Sequence, residues 1–175
     1  MFKAFTLIEI LITFTILVIS IYFISPITFH INDLIALNSE IESLQSFLYQ
    51  LQTKSRYEKS NYTLTISQNN QEKSWCVIAI KKSNNNKKQI ICNCLNVKQC
   101  NIADEYQLHF NHHKGTVIKN KSLYPESFIN IDGIAGRLES KCIHLSLNKA
   151  DEILQLDQWG RIYVIPKHKR SHCKT

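Results

Sequence analysis

The hydrophobic pattern changes character twice along the chain. From Phe5 to Ser25 it reads FTLIEILITFTILVISIYFIS, an apolar run of about the ~20 residues that a helix needs to cross a bilayer. Thr13, Thr15 and Ser20 can return their hydroxyls to the helix backbone, so they cost little there. Past Pro26 the run gives way to a stripe. Leu34, Leu37, Ile41, Leu44, Leu48 and Leu51 recur every three or four residues, with Asn38, Glu40, Glu42, Gln45 and Gln52 off the stripe. Together these predict one helix from about Phe5 to about Ser55, roughly 75 Å long at 1.5 Å per residue. Beyond it the period shortens to that of strands. YTLTIS, WCVIAI, QIICNCL, YQLHF, FINI, IHLSL, EILQL and RIYVI are separated by turn-like stretches such as QNNQEK and KKSNNNKK. Gly115 and Gly160 fall where hairpins are expected. Residues 101–140 give the weakest pattern. The fold class expected is α+β, a long helix packed on antiparallel sheet, with Trp75, Val77, Ile78 and Ile80 against the helical stripe.

Charge sharpens this division. The first 29 residues carry only Lys3 and Glu9, whereas the rest is rich in Lys, Asn, Ser and Gln. Lys3 precedes the span, so the positive-inside rule keeps the N-terminus cytoplasmic and exports the remainder. A cleaved signal peptide is the competing reading, but SPITFHIND offers no small-x-small cleavage site. Export also suits the cysteines. Cys76, Cys92, Cys94, Cys100, Cys142 and Cys173 are an even number for disulfides, with 15 connectivities open. The alternative, a zinc knuckle on Cys92, Cys94 and Cys100, is disfavoured by the x₁ spacing of its first pair.

Glu9 is the residue that needs a reason, because an unpaired carboxylate in hydrocarbon is costly. The stretch AFTLIEILITF resembles the N-terminal motif of type IV prepilins and type II secretion pseudopilins. The resemblance implies cleavage by a prepilin peptidase between Ala4 and Phe5, N-methylation of Phe5, and pairing of Glu9 with the terminal amine of a neighbouring subunit during filament assembly. Ala4 departs from the glycine usual before the cut. Pro26 matches a proline that bends the helix in many pilins. The implied organisation is a leader at 1–4, a transmembrane helix and filament core at 5–25, an amphipathic helix at 26–55 and a periplasmic β-rich domain at 56–175. EILQLDQWGRIYVI, with its Gly160-Arg161 pair, is similar to the closing hairpin of H-type minor pseudopilins and of related minor pilins, some of which help take up DNA. The resemblance therefore implies a pilin or pseudopilin subunit in the inner membrane, with other filament subunits as partners.

The net charge of +7 favours acidic partners without choosing among them. The tail PKHKRSHCKT holds Lys167, Lys169, Arg170 and Lys174 without an acid, with His168 and His172 adding charge below about pH 6.5. With Arg161 it is the candidate DNA-contacting patch, since clustered cations neutralise phosphates without reading sequence. Lys81, Lys82, Lys87 and Lys88 read as a solubilising cluster around a turn. His109, His112 and His113 in HFNHHKG read as exposed hairpin histidines rather than metal ligands. Asp132-Gly133 is a turn signal, lacking the alternating acids of a calcium loop. No phosphate-binding loop, dinucleotide fingerprint or Ser/His/Asp arrangement is present, so neither enzymatic activity, a cofactor nor a small-molecule substrate is expected. Three functions remain in view. They are a minor pilin assisting filament initiation and DNA uptake, a type II secretion pseudopilin acting in protein export, and a membrane-anchored periplasmic enzyme, for which no residue constellation speaks.

Overall fold

The computed structural model describes residues 6–82 and 90–172. Ala4, Phe5, Lys87, Lys88, Cys173 and Lys174 lie outside them. One helix, α1, runs from Leu7 to Glu58, 52 residues through Pro26 without a break in its assignment. At 1.5 Å per residue it is about 78 Å long. It stops where Lys59 adopts φ 51°, ψ 39°, a left-handed cap whose N–H returns to the carbonyls of Ser55 and Arg56.

Eight strands follow among the described residues: β1 (Tyr62–Asn69), β2 (Ser74–Lys81), β3 (Tyr106–Phe110), β4 (Val117–Ile118), β5 (Ile129–Ile131), β6 (Lys141–Leu147), β7 (Ala150–Leu156) and β8 (Ile162–Val164). They form two four-stranded sheets, ordered β3-β2-β1-β5 and β4-β6-β7-β8, with every neighbouring pair antiparallel. The α+β arrangement, a long helix packed on antiparallel sheet, is thus observed.

The core lies between the second half of α1 and both sheets. Leu37, Ile41, Leu44, Leu48 and Leu51 meet Tyr62, Leu64, Ile66, Trp75, Val77 and Ala79 of the first sheet and Ile143, Leu145, Leu154 and Leu156 of the second. Contact with two sheets widens the buried face beyond the predicted stripe. Asn38 and Glu42 are exposed as expected, but Gln45 is half-buried and Glu40 and Gln52 are buried. Ile78 and Ile80 also depart from expectation. Side chains alternate along a strand, so Trp75, Val77 and Ala79 face the helix while Cys76, Ile78 and Ile80 face away.

That outer face is covered by the segment predicted as the strand QIICNCL. Disulfides join Cys76 to Cys94 and Cys92 to Cys100. An extended run from 92 to 100 would span roughly 26 Å, so closing it with a disulfide demands a turn. The chain makes a 3₁₀ turn at Cys94–Gln99, started by the Asn93 side chain, which accepts from Leu95 N at 3.0 Å. Cys92, Cys94, Ile78 and Ile80 then form a second buried cluster with Ile90, Ile102 and Leu108 beside it. Cys142 is also disulfide-bonded.

Candidate functional site

The first turn of α1 is built by Thr6 and Glu9. Thr6 is the N-cap, its hydroxyl accepting from Glu9 N at 3.4 Å, while the Glu9 carboxylate accepts from Thr6 N and Thr6 Oγ1, both at 2.9 Å. This reciprocal T-x-x-E pair satisfies helix-end donors and turns the carboxylate toward the chain's N-terminal end. Thr6-Leu7-Ile8-Glu9 carries this signature within four residues of sequence.

Above it the helix is bare. Leu7, Phe14, Tyr22 and Phe23 are 81%, 67%, 77% and 65% exposed, and nothing among the described residues covers the apolar face. Thr13, Thr15 and Ser20 donate to the carbonyls of Ile10, Ile12 and Ile16 at 2.8–2.9 Å, as expected. Glu9 is then the sole charged side chain from Thr6 to Asn32. This part of α1 is long and apolar enough to cross a membrane. Docking begins at Asp33, which accepts from Asn148 Nδ2 at 3.0 Å, and at Leu34, which packs on the core.

The docked end is fastened by polar contacts that the periodicity did not reveal. Gln45 Nε2 and Tyr49 Oη donate to Ile162 O at 2.7 and 3.0 Å. Gln52 Nε2 donates to Gly136 O at 2.6 Å and to Gly160 O at 3.1 Å, joining two turns to the helix. Gly160 has φ +80°, and a Cβ there would lie 2.3 Å from Gln52 Nε2 and 2.9 Å from Gly136 O. The β7–β8 hairpin needs glycine at this point for both conformation and clearance.

The expected basic patch is divided. Arg161 and Arg170 sit at opposite ends of β7, because the antiparallel return through β8 carries residues 162–165 back along it. Six strand steps separate those ends by roughly 20 Å. Arg161 Nε donates to Asp157 Oδ2 at 2.6 Å, with 70% of its side chain exposed. Burial alone would raise the Asp157 carboxyl, but the main-chain and guanidinium N–H groups of Arg161 and the N–H of Trp159 hold it below its usual range. Arg170 is only 15% exposed and donates to Asp151 Oδ2 at 2.7 Å and Glu152 Oε2 at 2.5 Å. Its charge is neutralised within the fold. Lys167 and Lys169, in the 3₁₀ turn Lys167–His172, are exposed and unpaired with any acid among the described residues.

Among the histidines His112 is exposed as expected, whereas His109 is not. His109 is 8% exposed on β3, stacked on the Phe47 ring at 5.1 Å and tilted against Trp75 at 5.8 Å. Burial, and secondarily the neighbouring His112, push its imidazole down to about 4. Glu40, fully buried on α1, accepts from His112 N at 3.0–3.1 Å and from His113 N at 2.8 Å. Its partners lie 72 and 73 residues along the chain, beyond the reach of any local pattern.

Compared with protein-family models, with curated proteins and with solved structures, the chain gives no match.

Proposed function

We propose that this chain is a minor pilin or pseudopilin subunit of a type IV pilus-like filament, assisting filament initiation and, through its exported domain, DNA uptake. The observation that carries the reading is the asymmetry of α1. Its first half is bare and apolar with Glu9 as its lone charge, while its second half is buried against two sheets. A bare helical half continuous with one packed on a folded domain suits subunits that wait in a bilayer and then pack helix to helix. The mechanism is assembly, and no catalysis is assigned.

In this reading a prepilin peptidase cuts between Ala4 and Phe5, exposing an amine two residues before the first helical residue. Glu9, already held by Thr6 through charge-assisted hydrogen bonds, exchanges these for the amine of a neighbour. The pairing offsets the cost of a carboxylate among apolar helices and sets the register between subunits. The disulfides agree with an oxidising, periplasmic side for the domain. DNA contact in this reading falls to Lys167, Lys169 and Lys174, with Arg161 as a separate site. Pairing of Arg170 with Asp151 and Glu152 weakens that part of the reading and favours, as the alternative, a type II secretion pseudopilin whose partners are other pseudopilins or exported protein.

The test is co-expression with a prepilin peptidase, followed by intact-mass analysis of the membrane-extracted chain. The reading expects loss of residues 1–4 and one added methyl group. An uncut chain, or cleavage beyond Ser25, overturns it. Salt-dependent DNA binding that is lost in a Lys167→Gln/Lys169→Gln variant separates DNA uptake from secretion.

A further inference from the structure

Where the second half of α1 meets the loop after β3, three residues bring metal-ligating atoms together. A carboxylate oxygen of Glu40 and one ring nitrogen each of His109 and His112 all lie within 4.8 Å of one another. They come from three places: the helix, strand β3 and the loop leading toward β4. We propose that Glu40, His109 and His112 form a binding site for a single first-row divalent cation of the zinc type, which clamps the β3–β4 loop onto the helix. The inference is independent of the pilin reading.

The donor set selects the cation class. Two imidazoles and one carboxylate suit zinc and its neighbours, whereas calcium and magnesium require oxygen ligands. The site is also prepared. His109 Nε2 is buried without a hydrogen-bond partner, an uncommon condition for a polar atom in a packed core. Phe47 and Trp75 fix the plane of the His109 ring. Glu40 is oriented by the N–H groups of His112 and His113, and Oε1 accepts only one of these bonds, leaving it lone-pair capacity.

His112 is the adjustable ligand. Its Nδ1 lies 4.0 Å from Glu40 Oε1 and 3.4 Å from Ser43 Oγ, and 64% of its side chain is exposed. Ligands about 2.1 Å from a tetrahedral ion stand about 3.4 Å apart, so an inward shift of well under a side-chain length closes the triangle. The exposed side of His112 leaves the fourth position to water. Three protein ligands with one open position is a known zinc arrangement.

The test uses the full-length chain in detergent micelles, stripped with a chelator and titrated with zinc chloride and, separately, cobalt chloride. The expected result is one equivalent bound per chain, with cobalt showing the intense visible bands of tetrahedral coordination. His112→Gln changes an exposed side chain and should fold normally while weakening binding about ten-fold or more. His109→Phe keeps the ring stack and should abolish the tetrahedral spectrum. Glu40→Gln is less informative, because it also disturbs the loop N–H groups. The proposal is overturned if the wild-type chain binds no stoichiometric zinc. It is equally overturned if a His109→Phe/His112→Gln variant binds as tightly as wild type, which would assign the metal to histidines elsewhere, such as His168.

Discussion

The two halves of α1 are one continuous helix with opposite surroundings. From Leu7 to about Asn32 every apolar side chain with a described environment is exposed, and hydroxyls turn back onto the helix itself. From Leu34 onward Leu37, Leu44, Leu48 and Leu51 are at most 1% exposed, while Gln45 and Tyr49 bind a carbonyl of β8 and Gln52 those of two distant turns. Backbone geometry is the same in both. What differs is the width of the apolar face: all round in the first half, a broad stripe in the second. An all-round apolar helix must be covered by lipid or by other helices, whereas a striped one can be covered by its own chain.

The comparison breaks most visibly through paired substitutions. Leu44→Ala removes a fully buried side chain and should lower domain stability by about 2–5 kcal/mol. Leu17→Ala, in the bare half, should leave unfolding of the β-rich domain unchanged. Chemical denaturation of both variants in the same detergent, followed by the fluorescence of buried Trp75, reads the difference. Equal effects would mean that the halves are not energetically separate.

Next in size are the Cys76–Cys94 and Cys92–Cys100 disulfides, which hold the outer face of the first sheet rather than the helix contact. Loss of Cys76–Cys94 by a Cys76→Ala/Cys94→Ala change should cost about 2–4 kcal/mol. The same denaturation measurement checks it, and hydrogen exchange should rise around Ile78 and Ile80 before it rises on α1.

Smaller again is Gly160→Ala. The added Cβ meets Gln52 and the Gly136 carbonyl in a left-handed turn, so a loss of about 1–3 kcal/mol is expected. Gln52→Ala in the same background should lose less than it does alone, because the contact is already disturbed.

The smallest expected effect is on acid stability. The Asp157 carboxyl is held below its ordinary range in the folded chain, so its contribution is present above the unfolded carboxylate range. It is lost as pH falls through the folded value. Asp157→Asn should therefore flatten the acid limb of a stability-versus-pH curve relative to wild type, whereas Leu17→Ala should follow the wild-type curve.

How much of this was legible in the sequence follows from the range of each interaction. The helix from about Phe5 to Ser55 and most strands rest on local periodicity, and they are observed with ends moved by a few residues. QIICNCL has strand periodicity, but the disulfides to Cys76 and Cys100 override it. The two-residue β4 is too short to leave a pattern. The parity of Ile78 and Ile80 was available, since Trp75 and Val77 fix the other face by alternation. At the sites, the reverse holds. Thr6 with Glu9 is a four-residue signal. Glu40 with His109 and His112, and Gln52 with Gly136 and Gly160, are contacts made across the chain, visible only once helix and sheets are docked. The separation of Arg161 from Arg170 belongs with these, because nine residues apart in sequence they fall at opposite ends of one hairpin.

In the pilin reading proposed above, the bare half of α1 is reserved for neighbouring subunits, with Glu9 as its polar contact. The most direct measurement compares wild type with Glu9→Ala in cells that assemble the filament, by co-purification of the chain with other filament subunits after membrane solubilisation. The account predicts that Glu9→Ala remains in the membrane with a folded, oxidised domain but loses that association. Co-purification equal to wild type would contradict it and leave α1 as a simple anchor.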